Sequence, residues 1–306
     1  MTIAFVSHHD CELHDMGAAH PESPGRLRAI QDHLIATGLD IALRHYSAPR
    51  ATRQQLLQVH DADYVDSIFE RAPEEGVVWL DPDTGMMPKT LGAALHAAGA
   101  VVLATDLVME GKAAQAFCSV RPPGHHAEHN RAMGFCLFNN VAVGVAHAMK
   151  EYGLERVAIV DFDVHHGNGT EDIFRNDDRV LLCSSFRHPY YPFTGGDTTS
   201  THIINSPLTG GSDGRVFRQV VSEQWLPALH AFRPQMLFIS AGFDAHAADD
   251  MGGLRLLEAD YQWITAKLKT LMMEHGEGRM VSVLEGGYEL GALARSVAAH
   301  LNGMLD

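Results

Sequence analysis

The chain has 306 residues, of which 46% are apolar and 20% charged, and its formal net charge is −15. This composition is typical of a globular protein with a sizeable core, and it argues against nucleic acid as a partner because the phosphate backbone would repel so negative a chain. There is no run of 18 apolar residues, and the N-terminus, MTIAFVSHHDCELHD, is acidic rather than basic, so we predict a cytoplasmic protein without a membrane segment.

Strand-like and helix-like patterns alternate along the chain. Short apolar runs predict six strands, at 3–7, 116–120, 157–161, 180–184, 236–241 and 280–285. Longer periodic segments predict six helices, at 25–37, 89–110, 139–150, 217–230, 259–275 and 290–301. This alternation predicts an α/β fold in which helices cover both faces of a mainly parallel sheet. No repeat or Pro/Ser-rich linker divides the chain, so we predict a single domain over residues 1–306.

Polar motifs stand at the carboxyl ends of five predicted strands. RPPGHH follows the strand 116–120, and each of the other four motifs begins with the last residue of its strand. These four are DFDVHHGNG, SSFRH, AGFDAH and EGGY. Because ligands bind outside the carboxyl edge of open α/β sheets, we expect these distant segments to converge on one site.

We predict a divalent metal site whose ligands are Asp163, His165 and Asp244. Imidazole and carboxylate groups suit zinc, and three protein ligands leave a position open, as catalytic sites require. A bound metal lowers the pKa of its water from 15.7 to about 7 and so supplies a nucleophile at neutral pH. The alternative for the Asp-x-His pair is that it only caps the helix that follows.

We predict that His125 and His126 form a proton-transfer pair beside that metal, because histidine exchanges protons near neutral pH. Asp161 and Asn168 would orient these imidazoles and hold their tautomers. The alternative is a solvated histidine pair in a proline-glycine loop. His166, the remaining histidine of DFDVHHGNG, has no evident chemical role and is predicted to be structural.

We predict that Tyr288 donates a hydrogen bond to the oxyanion of a hydrolytic reaction. Gly286 and Gly287 precede it and permit backbone angles that other residues avoid, which would let the loop bring the phenol toward the metal. A Gly-Gly-Tyr turn is otherwise ordinary. The sequence contains no GxxxxGK[ST] or GxGxxG motif, and we predict no serine nucleophile elbow of the GxSxG type, so metal-assisted hydrolysis is the chemistry that remains.

The motifs together resemble those of the histone deacetylase and acetylpolyamine amidohydrolase superfamily, and they occur in that family's order over nearly the whole chain. They are HPESPGR at 20–26, DPDT at 81–84, RPPGHHAE at 121–128, GFCLFNNVA at 134–142, DFDVHHGNGT at 161–170, AGFDAH at 241–246 and EGGY at 285–288. The resemblance implies the arginase-deacetylase fold, a three-layer α/β/α domain around a mainly parallel sheet.

For the catalytic centre, the resemblance implies zinc, or alternatively ferrous iron, held by Asp163, His165 and Asp244. It makes His126 the general base and acid and His125 its electrostatic partner, with Tyr288 polarising the amide carbonyl.

The resemblance also implies a structural potassium ion bound by Asp161, Ser184 and the backbone near Ser185. Asn168 stands where class I members carry aspartate and class II members asparagine, so the chain resembles class II.

For the substrate, the resemblance implies that Asp83 orients the substrate backbone and that Phe135 and Tyr191 wall an acyl-lysine tunnel. Arg26 would lie near the inner end of an acetate channel. Met251 occupies a gatekeeper position that is glutamate in a polyamine-selective member, which disfavours acetylpolyamines.

Two segments depart from the family pattern near the tunnel rim. The family's Ser-Leu-His is here Ser184-Ser185-Phe186, and YYPFTGGD matches the FPGxG loop only loosely.

The sequence therefore predicts a metal-dependent amide hydrolase that removes acetyl or related acyl groups from lysine-type amines by attack of a metal-bound water. Its partner would be an acylated lysine peptide or a small acylated amine, and a homo-oligomer stays open. The alternatives are an acetylpolyamine or other small-molecule amidohydrolase, a guanidino-group hydrolase of the arginase type, and an inactive acyl-lysine-binding module. The arginase reading would need two manganese ions and further aspartates around HHGN, which are absent.

Overall fold

The computed structural model describes residues 2–305, and its centre is a sheet of eight strands. The strands in chain order, including a separate two-stranded hairpin β3–β4, are β1 (Ile3–Ser7), β2 (Leu43–Ser47), β3 (Val78–Trp79), β4 (Gly85–Met86), β5 (Gln115–Cys118), β6 (Val157–Asp161), β7 (Val180–Arg187), β8 (Ile203–Leu208), β9 (Met236–Ala241) and β10 (Met280–Leu284). The order across the large sheet is β2-β1-β5-β10-β9-β6-β7-β8, and every neighbouring pair is parallel.

The central strands form where the sequence is apolar without interruption. Every residue of β5, β6, β9 and β10 is buried, as expected for strands covered on both faces. The edge strands β2 and β8 contain exposed and half-buried residues as well as buried ones, and β8 contains Pro207, which an edge strand tolerates because it need not donate on both sides.

Eleven α-helices surround the sheet within residues 2–305. They are α1 (Asp10–Leu13), α2 (Gly25–Thr37), α3 (Arg53–Leu56), α4 (Ala62–Glu70), α5 (Thr90–Met109), α6 (Asn140–Tyr152), α7 (Asn168–Phe174), α8 (Gly214–Val220), α9 (Leu226–Phe232), α10 (Glu258–His275) and α11 (Leu290–Leu305). Helices α2, α10 and α11 pack together as one group, and α1, α5 and α6 pack as another.

The two helix groups lie on opposite faces of the sheet. On α11, His300 Nε2 lies 2.8 Å from the Oγ of Ser282 in β10. On α6, Gly144 approaches Phe238 of β9 so closely that a Cβ there would lie 3.0 Å from the ring. Phe238 is in register with Val281, the neighbour of Ser282, and adjacent residues of a strand point to opposite faces. The architecture is therefore three layers, α/β/α, which confirms the predicted fold class.

All six predicted strands and all six predicted helices are present, with shifted ends. The helix predicted at 217–230 is divided, because a π-helical segment, Val221–Trp225, separates α8 from α9. Pro227 follows it and has no N–H to bond the carbonyl of Glu223, so the α-helical ladder cannot continue unchanged. The strands β2 and β8 were not predicted, because half-exposed edge strands lack the continuous apolar pattern.

Helix α5 is long and apolar enough to cross a membrane by length and composition, with a mean hydropathy of 1.7, but 78% of that stretch is buried inside the fold. Its Gly99 lies directly against the backbone of Pro49, where a Cβ would come within 2.0 Å of the carbonyl oxygen. The apolarity of α5 thus serves packing between the sheet and α6.

Candidate active site

Four adjacent strands bring the predicted motifs together. β5, β10, β9 and β6 are neighbours in the sheet, and their carboxyl ends lead into RPPGHH, EGGY, AGFDAH and DFDVHHGNG respectively. Parallel strands lie about 4.8 Å apart, so loops leaving one edge of four neighbours converge within a few side-chain lengths.

Asp163, His165 and Asp244 lie together as predicted. One ligand atom from each falls within 4.8 Å of the others, and all three residues are buried. His165 Nδ1 is 3.0 Å from Asp163 Oδ1 and 3.2 Å from Asp244 Oδ2. Burial disfavours the imidazolium, but the nearby carboxylates of Asp163 and Asp244 outweigh burial and raise the pKa of His165 to about 9. The space between these groups is therefore strongly favourable for a cation.

Glycines let the backbone close around these carboxylates. A Cβ on Gly242 would lie 2.0 Å from Asp163 Oδ2, and one on Gly286 would lie 2.0 Å from Asp244 Oδ2. The Gly286 N–H donates to Asp163 Oδ2 at 2.9 Å, and the Val164 N–H donates to Asp244 Oδ1 at 2.9 Å. The close approach orients both carboxylates and leaves no room for side chains at either glycine.

The donor set fits a divalent metal such as zinc. Asp244 Oδ2 is buried and has no hydrogen-bond partner within residues 2–305, although it faces His165. Burial, followed by the charge of Asp163, raises the pKa of Asp244 to about 6, which indicates more negative charge than nearby cations balance. One imidazole and two carboxylates are ligands of zinc sites.

His125 and Asp161 form a charged pair beneath the site. His125 Nδ1 lies 2.9 Å from Asp161 Oδ2, and both side chains are buried. Burial opposes the imidazolium, but the charges of Asp161 and Asp163 raise the pKa of His125 well above its usual value.

His126 has the opposite electrostatic character. Burial, together with the imidazoles of His125 and His165, lowers the pKa of His126 well below its usual value. Its Nδ1 lies 2.7 Å from Asn168 Oδ1. The Asn168 amide nitrogen donates to Glu128 Oε1 at 2.8 Å, and this bond assigns the oxygen of the amide to His126. His126 therefore carries its proton on Nδ1, and its Nε2 is a free base.

Tyr288 follows a glycine whose backbone angle most residues avoid, Gly287, with φ of 122°. Arg26 is completely buried, donates through Nε to the Gly287 carbonyl at 2.7 Å, and places its guanidinium 5.1 Å from the centre of the Tyr288 ring. Burial and the Asp244 carboxylate raise the pKa of Tyr288 well above its usual value. The phenol is thus a protonated donor near the metal ligands.

Phe135 and Tyr191 lie beside the catalytic side chains. The Phe135 ring is perpendicular to Tyr288 at 6.2 Å between centres, and the Tyr191 ring is perpendicular to His126 at 5.3 Å. Phe135 has a φ of 67°, in the left-handed region, and its N–H donates to Thr84 Oγ1 at 3.0 Å.

Asp83 and Met251 contact the loops that carry Phe135 and Tyr190. Asp83 Oδ1 accepts from the Gly134 N–H at 3.0 Å, directly before Phe135. The Met251 carbonyl accepts a hydrogen bond from the Tyr190 hydroxyl at 3.0 Å. The roles of these four residues toward a substrate stay predictions.

Ser184 and Ser185 lie within β7, where Ser184 is in register with Asp161 of β6. Both serines are buried, and the Oγ of Ser184 has no hydrogen-bond partner within the described residues. An unpartnered buried hydroxyl beside a carboxylate fits the donor set of a monovalent cation.

Comparison with known proteins identifies the family. The family model of the histone deacetylase domain matches residues 20–304. The chain belongs to the histone deacetylase family. It is 37% identical to a histone deacetylase-like amidohydrolase of Pseudomonas aeruginosa, over 89% of this chain and 73% of the relative. It is 35% identical to a probable deacetylase of Archaeoglobus fulgidus, over 96% of this chain and 83% of that protein.

A solved structure shares the fold. The crystal structure of the HDA15 HD domain superposes with a TM-score of 0.94 at 34% identity, covering 99% of this chain and 88% of that one. The family and the arginase-deacetylase fold predicted from the motifs are therefore confirmed.

Within this histone deacetylase fold, several important residues were not predicted. Glu22 is buried and binds two arginines, accepting from Arg26 Nη1 at 3.0 Å and from Arg121 Nη2 at 2.6 Å. Arg121 begins RPPGHH, and Arg26 holds the loop of Tyr288. Glu22 thus links two catalytic loops from beneath, and the only sequence signal was its place in HPESPGR.

Glu285 and Tyr190 were missed as well. Glu285 Oε2 accepts from the backbone N–H groups of Gly124 and His125 at 2.7 and 3.1 Å, which fixes the start of the histidine pair. The Tyr190 ring stacks on His165 at 5.7 Å, and the Arg187 guanidinium lies 4.1 Å from its centre.

His166 is buried, as a structural histidine would be. Its Nδ1 lies 2.8 Å from Thr194 Oγ1 and its Nε2 2.9 Å from Glu171 Oε2, so it ties the loop after β7 to α7.

Two further groups of metal-capable residues lie outside this site. In the set His8, Asp10 and His96, the Arg50 guanidinium already donates to His96 Nε2 at 3.2 Å and to Asp10 Oδ2 at 3.3 Å. The other set is largely exposed and consists of His230, Glu274 and His275.

Proposed function

We propose that this chain is a zinc-dependent deacetylase that removes acetyl or related acyl groups from lysine-type amines. The convergence of Asp163, His165 and Asp244 beside His126 and Tyr288 is the observation that carries the proposal. These groups supply, at one point, a cation site, a neutral base and a phenol donor, which are the parts that amide hydrolysis needs.

Asp163, His165 and Asp244 would hold the zinc, or alternatively ferrous iron. When bound, the metal supplies a Lewis acid that polarises the acyl carbonyl and activates a water molecule.

His126 transfers the proton of the reaction. Its Nε2 is unprotonated because Nδ1 donates to Asn168 and because the pKa of His126 lies well below its usual value. Nε2 therefore accepts the proton of the attacking water and then returns it to the nitrogen of the leaving amine, which departs as the free amine.

Tyr288 and His125 control charge around the reacting carbonyl. The Tyr288 hydroxyl stays protonated at neutral pH and donates to the carbonyl oxygen as negative charge develops there. His125 stays protonated against Asp161, and its positive charge keeps His126 neutral until the base accepts its proton.

We also propose a structural potassium ion at Asp161, Ser184 and the backbone near Ser185. The unpartnered Ser184 hydroxyl and the carboxylate of Asp161, which is in register with it, support this assignment. The ion would add positive charge to a region that contains several buried carboxylates, Asp161, Asp163, Asp244 and Glu285.

The decisive experiment is a substrate panel with controlled metal content. The chelated protein, reloaded with Zn²⁺ or Fe²⁺, is assayed on fluorogenic acetyl-lysine peptides, longer acyl-lysine peptides and acetylated polyamines. We expect turnover of acyl-lysine peptides only after reloading. Preference for acetylated polyamines would contradict the substrate class. Tight binding of acyl-lysine without turnover would contradict enzymatic function and favour a binding module.

A further inference from the structure

Asp249 is a buried carboxylate in the loop that follows Asp244, and its bonding is unusual. Its Oδ2 accepts from the backbone N–H of Tyr288 at 2.6 Å and from that of Glu289 at 3.0 Å. Its Oδ1 accepts from the Met251 N–H at 2.9 Å. The residue is 5% exposed, and no lysine or arginine pairs with it between residues 2 and 305. Both oxygens are therefore committed to holding backbone.

The loop around Tyr288 needs such an anchor. Gly287 has a φ of 122°, so the backbone immediately before Tyr288 has few steric limits of its own. Arg26 donates to the Gly287 carbonyl and Asp249 accepts from the Tyr288 N–H, so both polar groups of the peptide unit that precedes Tyr288 are held. Asp249 also accepts from the Glu289 N–H of the peptide unit that follows, so the peptide units on both sides of the Tyr288 side chain are anchored.

The same carboxylate joins Tyr288 to the substrate rim. Through Met251, whose carbonyl accepts from the Tyr190 hydroxyl at 3.0 Å, Asp249 connects the Tyr288 loop to the ring that stacks on His165. A shift of Asp249 would move Tyr288 and Met251 together. Charge-assisted bonds to backbone N–H groups are about twice as strong as neutral ones, which suits this task.

We propose that Asp249 is a positioning residue that holds the Tyr288 hydroxyl over the acyl carbonyl and couples it to the rim at Met251. This inference rests on the proposed deacetylase function. Misplacing a reacting group by about 1 Å can cost about 100-fold in rate, so a loosened Tyr288 should lower kcat with little effect on KM.

A double-mutant cycle tests the assignment. In the zinc-loaded protein, Asp249→Asn should lower kcat on a fluorogenic acetyl-lysine peptide about 10- to 100-fold. The asparagine side chain keeps only one acceptor oxygen, and its NH₂ group would face a backbone N–H that needs an acceptor. In the Tyr288→Phe background the same change should cost less than about threefold, because the hydroxyl that Asp249 positions is already gone. Equal losses in both backgrounds would overturn the proposal.

Asp213→Asn is the matched control. Asp213 begins α8 and accepts from the N–H groups of Arg215 and Val216, both at 3.1 Å and both through Oδ1. Asparagine keeps that single oxygen, so we expect kcat within about twofold of the unmodified protein. Asp249→Glu, which keeps the charge but displaces it by one methylene, provides a second variant. A normal kcat in both Asp249 variants would refute positioning.

A spectroscopic readout separates this inference from the proposed function. With 3-fluorotyrosine incorporated at position 288, the fluorine resonance should shift or broaden in Asp249→Asn and stay unchanged in Asp213→Asn. Absence of turnover in the unmodified, zinc-loaded protein would defeat the proposed function alone, because the fluorine spectrum still reports on Tyr288. An unchanged resonance in Asp249→Asn would overturn the role of Asp249.

Discussion

The floor of the site consists of buried groups, whereas its rim is half exposed. The floor comprises His125, His126, Asp161, Asp163, His165 and Asp244, and the rim comprises Asp83, Phe135, Tyr190, Tyr191 and Met251. Floor carboxylates accept hydrogen bonds from backbone N–H groups, two at Asp163 and one each at Asp161 and Asp244. Rim side chains contact the floor histidines and Tyr288 mainly through aromatic rings.

The difference separates the two tasks of the site. Bonded, buried groups keep one geometry, so the floor is suited to a single chemistry. Half-exposed rings can repack at small cost, so the rim is where substrate preference can change. Changes on the floor should therefore act on kcat, and changes on the rim should act on selectivity.

The largest effect is expected from His126→Ala on the floor. Loss of the proton-transfer group should lower kcat about 10²- to 10⁴-fold while KM changes little. The control is His129→Ala, which removes a partly exposed histidine three residues on that bonds Asp172. Steady-state kinetics on an acetyl-lysine peptide measures both, and comparable rates for the two variants would refute the role of His126.

Beneath the floor, Glu22→Gln should destabilise the fold by about 3–5 kcal/mol, because it leaves Arg26 and Arg121 buried without their anion. The control is Glu12→Gln, which removes the exposed ion pair with Arg28 and should cost at most about 1 kcal/mol. Urea unfolding measures both. Equal losses of unfolding free energy in the two variants would show that the buried Glu22 network stabilises the fold no more than a surface ion pair does.

Acidic pH should reduce the contribution of Glu22 to the stability of the fold. Burial opposes its ionisation, but Arg121, His14 and Arg26 outweigh burial and hold the pKa of Glu22 well below its usual 4.5. A depressed carboxyl pKa stabilises the fold above the unfolded value, and this stability is lost as the pH falls through the folded value. The difference in unfolding free energy between wild-type protein and Glu22→Gln should therefore decrease below pH 4.5. A difference that stays constant with pH would contradict this.

Asn168→Asp should shift the pH profile on the floor. A carboxylate against Nδ1 stabilises the imidazolium of His126, so its pKa should rise by about one unit. Because the base must be unprotonated, the acid limb of the kcat/KM profile should move to higher pH. Asn176→Asp, an exposed change just after α7, should leave the limb in place. A shift to lower pH would contradict the assigned proton positions.

The smallest effect is expected on the rim, from Met251→Glu. A half-exposed carboxylate should favour cationic acetylated polyamines over acetyl-lysine peptide by about 0.2–1 kcal/mol, which is about 1.4- to 5-fold in relative kcat/KM. The control is Met251→Leu, which keeps an apolar side chain and should leave the ratio unchanged. A large loss of kcat on both substrates would show that Met251 belongs functionally to the floor.

Much of the floor could be predicted because its residues come in compact motifs at strand ends. Asp163 and His165 are two positions apart, and His125 and His126 are adjacent, so local spacing indicated their joint function. Asp249 and Glu285 were missed because each binds backbone groups far away in the chain, and Glu22 was missed because its partner Arg121 is 99 residues away. Asp249 is 39 residues from Tyr288, and Glu285 is 161 from Gly124. No local pattern marks such contacts.

The central strands and the proposed catalytic side chains follow from the amino-acid sequence, since continuous apolar runs form buried strands and polar residues after them must face the carboxyl edge. The opposite pKa shifts of the neighbours His125 and His126 were decided only in three dimensions. Asp161 reaches one imidazole and Asn168 the other, and that difference depends on where β6 places the start of α7. Sequence proximity makes two histidines neighbours, but only packing gives each its own partner.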